Sequence, residues 1–187
     1  IALLFEKPSL RTKASFETGI RRLGGQTVYF GRDEVGLGVR ESVADATRVL
    51  ERMFDGVVAR VFVHQNLEEM ARHANIPIIN ALSDVEHPCQ ALADLLTLRE
   101  VFGELHGRRV VYVGDGNNVA TSLGLACVSA GVDFVLSSPP AYRIPVGQWD
   151  AITKRADLQG SCVEWIENPQ NAVENADCIY TDVWTSM

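Results

Sequence analysis

"IALLFEKPSLRTKASFETGIRRLGGQTVYF" (1–30) decides the fold class. An unbroken apolar run, IALLF (1–5), gives way to a polar turn, a segment of helical spacing (10–23) and a second apolar run, QTVYF (26–30). A strand exposed on one face alternates apolar and polar residues, whereas continuous apolar runs joined by helices belong to parallel sheets covered on both faces.

The turn inside this unit poses a chemical question. Pro8 fixes the entry of the chain and Ser9 suits the N-cap of the helix, yet Arg11 and Lys13 follow in its first turn. The amino end of a helix already carries about half a positive charge, so each cation there costs a few tenths to about 1 kcal/mol. Backbone N–H groups of Leu10, Arg11 and Thr12, joined by the Ser9 and Thr12 hydroxyls and the Arg11 guanidinium, would cradle a phosphate. A plain serine cap with solvated cations explains the same residues. The Walker pattern G-x-x-x-x-G-K-[ST] is absent.

Outward from this unit the alternation continues. Further strands are expected at 56–62, 76–81, 108–114, 132–138, 162–166 and 177–183, with helices at 42–54, 66–75, 88–103, 118–130, 146–157 and 169–175. The reading is α/β, with two doubly wound parallel-sheet domains, the second incomplete. The first spans 1–103 and includes a connecting helix at 88–103; the second spans 107–187. Both ends read as cut, since the chain opens inside an apolar run without methionine and stops at TDVWTSM. In such sheets ligands bind beyond the carboxyl ends of the strands.

Composition narrows the partners. The 187 residues are 47% hydrophobic and 22% charged, with a net charge of −7, which disfavours nucleic acid and anionic membranes. No apolar run approaches the roughly 20 residues of a spanning helix. Cys89, Cys127, Cys162 and Cys178 lie far apart without a C-x-x-C pair and read as free thiols of a reducing cytoplasm. His64, His73, His87 and His106 lack ligand spacing with one another or with a cysteine, so a metal site is not expected.

The remaining strand ends offer polar groups. Arg60 closes "VVAR" among apolar neighbours, as an anion ligand or half of a structural ion pair. In "HPCQALADLL", Pro88 suits the first helical position and His87 the N-cap, so His87 and Gln90 project together from the helix start. "VGDGNNV" invites a dinucleotide reading that fails, because G-x-G-x-x-G needs glycine at Val119 and no acidic residue ends the next strand. Asn117 and Asn118 offer amides instead, and Asp182 ends the last strand, able to bind an amine or to begin a turn.

Together these turns resemble the transcarbamoylases, and within them the ornithine-specific branch. "FEKPSLRT", "GVRESVADATRVLERM", "ARVF", "HPCQALADLLTL", "VGDGNNV" and "DVWTSM" occur in the family's order along essentially the whole chain. The resemblance implies transfer of the carbamoyl group from carbamoyl phosphate to the δ-amine of ornithine, giving citrulline and phosphate in arginine metabolism. It implies carbamoyl phosphate held by Ser9, Leu10 (through its backbone), Arg11, Thr12, Arg60, His87 and Gln90. Arg11, Thr12, Arg60 and His87 would also stabilise the developing oxyanion. Ornithine would be held by Asn118, Asp182, Ser186 and Met187. A cytoplasmic homotrimer or higher assembly of trimers is implied, without metal or cofactor.

Three departures stand out. Leu10 replaces the family's usual threonine, Gly36 falls where related chains often place Gln or His, and the family's Cys-Leu-Pro segment lies beyond Met187. Rival readings are another acceptor (aspartate, putrescine or an N-acylated ornithine), a binding module without turnover, and a nucleotide-dependent dehydrogenase.

Overall fold

The structure, a computed structural model, describes residues 1–183. The chain forms two compact units, one covering Ile1–Asp84 and one beginning at Val85. The first contains β1 (Ala2–Phe5), α1 (Leu10–Arg22), β2 (Val28–Gly31), α2 (Arg32–Val35), α3 (Val43–Leu50), β3 (Val57–Arg60), α4 (His64–His73) and β4 (Ile78–Leu82). The second contains α5 (Pro88–Phe102), β5 (Arg109–Val113), α6 (Asn118–Ser129), β6 (Asp133–Ser137), α7 (Val146–Gln159), β7 (Val163–Trp165), α8 (Pro169–Ala172) and β8 (Cys178–Thr181). All eight expected strands and seven expected helices form, each shorter or shifted by a few residues at its ends. The four-residue α2 and a 3-10 turn at Pro140–Tyr142 are additions, too short to leave a hydrophobic period.

Each unit carries a four-stranded, all-parallel sheet, ordered β2-β1-β3-β4 in the first and β7-β6-β5-β8 in the second. Successive residues of a strand point to opposite faces, and both faces are covered. In the first unit Leu4, Val57 and Ala59 pack with Leu67 and Met70 of α4, whereas Leu3, Phe5 and Val58 pack with Phe16 and Ile20 of α1. In the second, Tyr112, Phe134 and Leu136 meet Leu123 of α6 and Ile152 of α7, while Val111 and Val135 meet Ala172 of α8. Leu95 and Leu98 of α5 join that larger core, so α5 packs with the second unit. Leu3, Leu4 and Phe5 are at most 1% exposed, and each such side chain contributes about 1.5–3 kcal/mol of burial.

The strand orders locate the chemistry. From β1 the first unit winds one way to β2, then returns to the other side of β1 for β3 and β4. The second winds from β5 through β6 to β7 and returns to the other side of β5 for β8. Where the winding reverses, the loops diverge and leave a crevice at the carboxyl ends of the two central strands. These switch points fall between β1 and β3, and between β5 and β8.

Candidate functional site

At the first switch point, Ser9 caps α1 from an extended backbone. Its Oγ accepts from the Thr12 N–H at 3.4 Å and donates to Thr12 Oγ1 at 3.0 Å. That bond takes one of the three first-turn N–H groups; those of Leu10 and Arg11 have no acceptor among the described residues. The first turn holds no acidic residue. Leu10 is 84% exposed, and Arg11 makes no ion pair among the described residues. Lys13 is different: its Nζ sits 3.7 Å above the Tyr29 ring and 4.0 Å from Glu17, so this cation belongs to the packing of α1 on β2.

Arg60 ends β3 in the same crevice, 9% exposed. Its Nη1 reaches Thr12 Oγ1 at 3.5 Å, its Nε is buried without a hydrogen-bond partner, and no carboxylate lies within ion-pair distance among the described residues. Burial lowers its pKa, but a guanidinium stays charged at any ordinary pH. An unpaired buried charge costs several kcal/mol, and among the described residues Arg60 has no structural ion pair to offset that cost.

In the second unit His87 stands at the N-cap of α5 with Pro88 at the first helical position, and its backbone N–H donates to Ser122 Oγ of α6 at 2.8 Å. Gln90, one turn on, donates from Nε2 to Asp94 Oδ1 at 2.9 Å. Cys89 between them is half-buried and its thiol pKa is pushed up by that burial, which suits packing rather than attack.

At the second switch point the glycine turn proves structural. A Cβ on Gly116 would lie 2.2 Å from the Ile144 backbone nitrogen, and the Gly116 N–H donates to the Tyr142 carbonyl at 2.8 Å. The space a dinucleotide pyrophosphate would need is filled by the chain itself. Asn117, the N-cap of α6, accepts from the N–H groups of Val119 and Ala120 at 2.9 and 3.1 Å and donates from Nδ2 to Asp182 Oδ2 at 3.4 Å. Asn118 is the first residue of α6, and Asp182, exposed, follows β8. Tyr112 and Tyr180 stack beside this cluster at 5.6 Å between centroids. Ser186 and Met187, the other two candidates, lie outside the described residues.

The family profile for the aspartate/ornithine carbamoyltransferase carbamoyl-P binding domain matches residues 1–100, and that for the Asp/Orn binding domain matches residues 106–187. The chain belongs to the aspartate/ornithine carbamoyltransferase family. It is 46% identical over 187 residues to the ornithine carbamoyltransferase of Methanopyrus kandleri, a match covering all of this chain and 60% of that protein. The solved ornithine carbamoyltransferase of Pyrococcus furiosus superposes with a TM-score of 0.96 at 44% identity, over 99% of this chain and 59% of that one. A solved N-acetyl-L-ornithine transcarbamylase superposes at 0.86 with 30% identity, over 98% of this chain and 64% of that one. The chain thus spans about 60% of the length of the curated relatives it matches.

Within the carbamoyltransferase frame, the structure gathers Ser9, Thr12 and Arg60 at one switch point and Asn118 and Asp182 at the other. His87 and Gln90 stand together at the start of α5. Sequence reading does not anticipate that Asn117 both caps a helix and holds Asp182. The cap is legible as an asparagine before an apolar helix, but the partner is 65 residues away. Nor does it single out Asp94, whose one available signal is its place four residues after Gln90.

Proposed function

We propose that this chain carries the substrate-binding residues of an ornithine carbamoyltransferase. Residues 1–103 serve carbamoyl phosphate and residues 107–187 serve the amino acid. The observation that carries the reading is Arg60, a buried guanidinium with no carboxylate partner among the described residues, facing Thr12 beside an acid-free helix start. A phosphate there completes the charge, accepts the Leu10 and Arg11 N–H groups and pairs with the Arg11 guanidinium. Assignment of His87 and Gln90 to the same ligand rests on the family resemblance of "HPCQALADLL".

The neutral δ-amine of ornithine attacks the carbonyl carbon of carbamoyl phosphate, forming the new C–N bond. Arg11, Thr12, Arg60 and His87 stabilise the charge that gathers on the carbonyl oxygen. The C–O bond to phosphate then breaks, the amine proton leaves with the phosphate product, and citrulline remains. Asn118 and Asp182, with Ser186 and Met187, hold the α-amino and α-carboxylate groups, and Asp182 supplies the negative charge an α-ammonium needs. Holding both reactants in attack geometry supplies much of the acceleration. A cytoplasmic homotrimer working in arginine metabolism fits this family reading.

The test is turnover by the full-length protein carrying this sequence, given carbamoyl phosphate with ornithine, N-acetylornithine, putrescine or aspartate separately. Citrulline from ornithine alone upholds the proposal. Product only from another amine overturns the Asp182 assignment and leaves the phosphate assignment standing.

A further inference from the structure

The Gln90–Asp94 pair lies one helical turn inside α5, and its chemistry is asymmetric. A carboxylate only accepts hydrogen bonds, so the 2.9 Å contact to Asp94 Oδ1 commits the Gln90 NH2 group and not its oxygen. Gln90 Oε1 makes no hydrogen bond among the described residues. Asp94 is half-buried, its Oδ2 is buried without a hydrogen-bond partner among the described residues, and its Oδ1 is held by Gln90. Apolar neighbours dominate this stretch of α5, where Ala91 is buried and Leu95 and Leu98 pack into the core. A partly desolvated carboxylate in such surroundings costs free energy that its hydrogen bond from Gln90 only partly offsets.

We propose that Asp94 is a positioning residue that fixes which end of the Gln90 amide meets the ligand, and so sets the preference for a carbamoyl over an acetyl group. The inference rests on the assignment of Gln90 to carbamoyl phosphate made above. With one N–H of Nε2 tied back to Asp94, the orientation of the amide is set and Oε1 is the end turned away from that carboxylate. The carbamoyl NH2 donates to Oε1, whereas the methyl group of acetyl phosphate has nothing to donate. The phosphate ends of the two molecules are the same, so discrimination falls on this one contact. Without the carboxylate the amide can turn over, and its NH2 would then face the NH2 of the ligand.

The experiment measures KM for carbamoyl phosphate and inhibition by acetyl phosphate and by inorganic phosphate. It compares the wild-type full-length protein with Asp94→Asn, Gln90→Ala and the double variant. The amide introduced by Asp94→Asn keeps the shape but can either donate or accept, so Gln90 loses its fixed orientation. The expected result for Asp94→Asn is a KM for carbamoyl phosphate raised about tenfold, the worth of one hydrogen bond, with both inhibition constants unchanged within about twofold. In the Gln90→Ala background the same substitution has no further effect on the ratio. Asp94→Glu, again an acceptor only, restores part of the preference. Equal weakening of all three ligands makes Asp94 a purely structural residue and overturns the proposal, as does an undiminished effect in the Gln90→Ala background. A wild-type protein that turns over ornithine but binds acetyl and carbamoyl phosphate equally overturns it while leaving the proposed function intact. Absence of any carbamoyl transfer by the wild type removes both.

Discussion

Asn117 Nδ2 lies 3.4 Å from Asp182 Oδ2, while Oδ1 of the same side chain caps α6 through Val119 and Ala120. One amide thus ties the start of a helix to the end of a strand 65 residues later. The double role can be separated by substitution. Asn117→Ala removes the cap and costs about 1 kcal/mol. Asn117→Asp keeps a good cap but sets a second carboxylate against Asp182. Near-wild-type melting with a KM for ornithine raised tenfold or more, and an unchanged KM for carbamoyl phosphate, is the expected signature of Asn117→Asp. If both KM values move together, Asp182 does not hold the amine.

The role proposed for Arg60 sets function against stability at the first switch point. The guanidinium is buried without a carboxylate among the described residues, so Arg60→Met removes an uncompensated charge from an apolar strand end. The variant should be more stable than the wild type by about 1 kcal/mol or more. Turnover should fall about 10²- to 10³-fold, the loss usual for one donor to a developing oxyanion. Calorimetry with millimolar inorganic phosphate reads the same residue independently. Phosphate raises the melting temperature of the wild type, because it binds only the folded chain, and leaves that of Arg60→Met unmoved. A phosphate shift that survives in Arg60→Met places the anion elsewhere.

Gly116 tests whether the glycine turn after β5 serves packing. A methyl group there meets backbone rather than a flexible side chain, at 2.2 Å from the Ile144 nitrogen. Gly116→Ala therefore forces the 140–144 segment away and costs about 2–4 kcal/mol. A melting temperature unchanged by this substitution contradicts the close approach. Gly36 illustrates the other constraint: it ends α2 at φ +51°, a left-handed conformation that glycine adopts without strain. The departure at this position thus fits the local backbone.

How much of this can be read from residues follows from the range of the forces involved. Parallel strands such as Ala2–Phe5 and Val57–Arg60 are buried on both faces, so they announce themselves as apolar runs of fixed length. The Ser9 cap and the Pro88 helix start are equally local signals. Lys13 misleads because its partner, the Tyr29 ring, is brought to it by a strand pairing that no spacing encodes. The Asn117–Asp182 and Arg60–Thr12 contacts likewise depend on which strands end side by side, and that is decided by sheet order. Sequence places each group after or at a strand end, but only the order β2-β1-β3-β4 shows that Ser9, Thr12 and Arg60 meet where β1 and β3 end side by side.

Two carboxylates of the second unit should give opposite pH dependences. Burial raises the pKa of Asp94 above its ordinary value, with the Gln90 bond and the neighbouring Tyr180 hydroxyl acting against it; Tyr180, Cys178 and Cys127 are the titratable groups around it. An acid whose pKa is higher when folded stabilises the fold below its unfolded pKa, and that stability is lost as pH rises through the folded value. Asp177 behaves in reverse. It accepts from the Arg109 N–H and the Arg108 guanidinium, both at 2.8 Å, and these bonds lower its pKa. Its contribution is present above the unfolded carboxylate pKa and is lost as pH falls through the depressed folded value. Urea unfolding from about pH 3 to 8 spans both ranges. Asp94→Asn should gain stability over the wild type as pH rises toward neutrality, with the gap closing in acid. Asp177→Asn should be less stable than the wild type at neutral pH and converge with it in acid. An Asp94→Asn gap that widens in acid would mean that the carboxylate is better paired in the folded chain than its burial indicates.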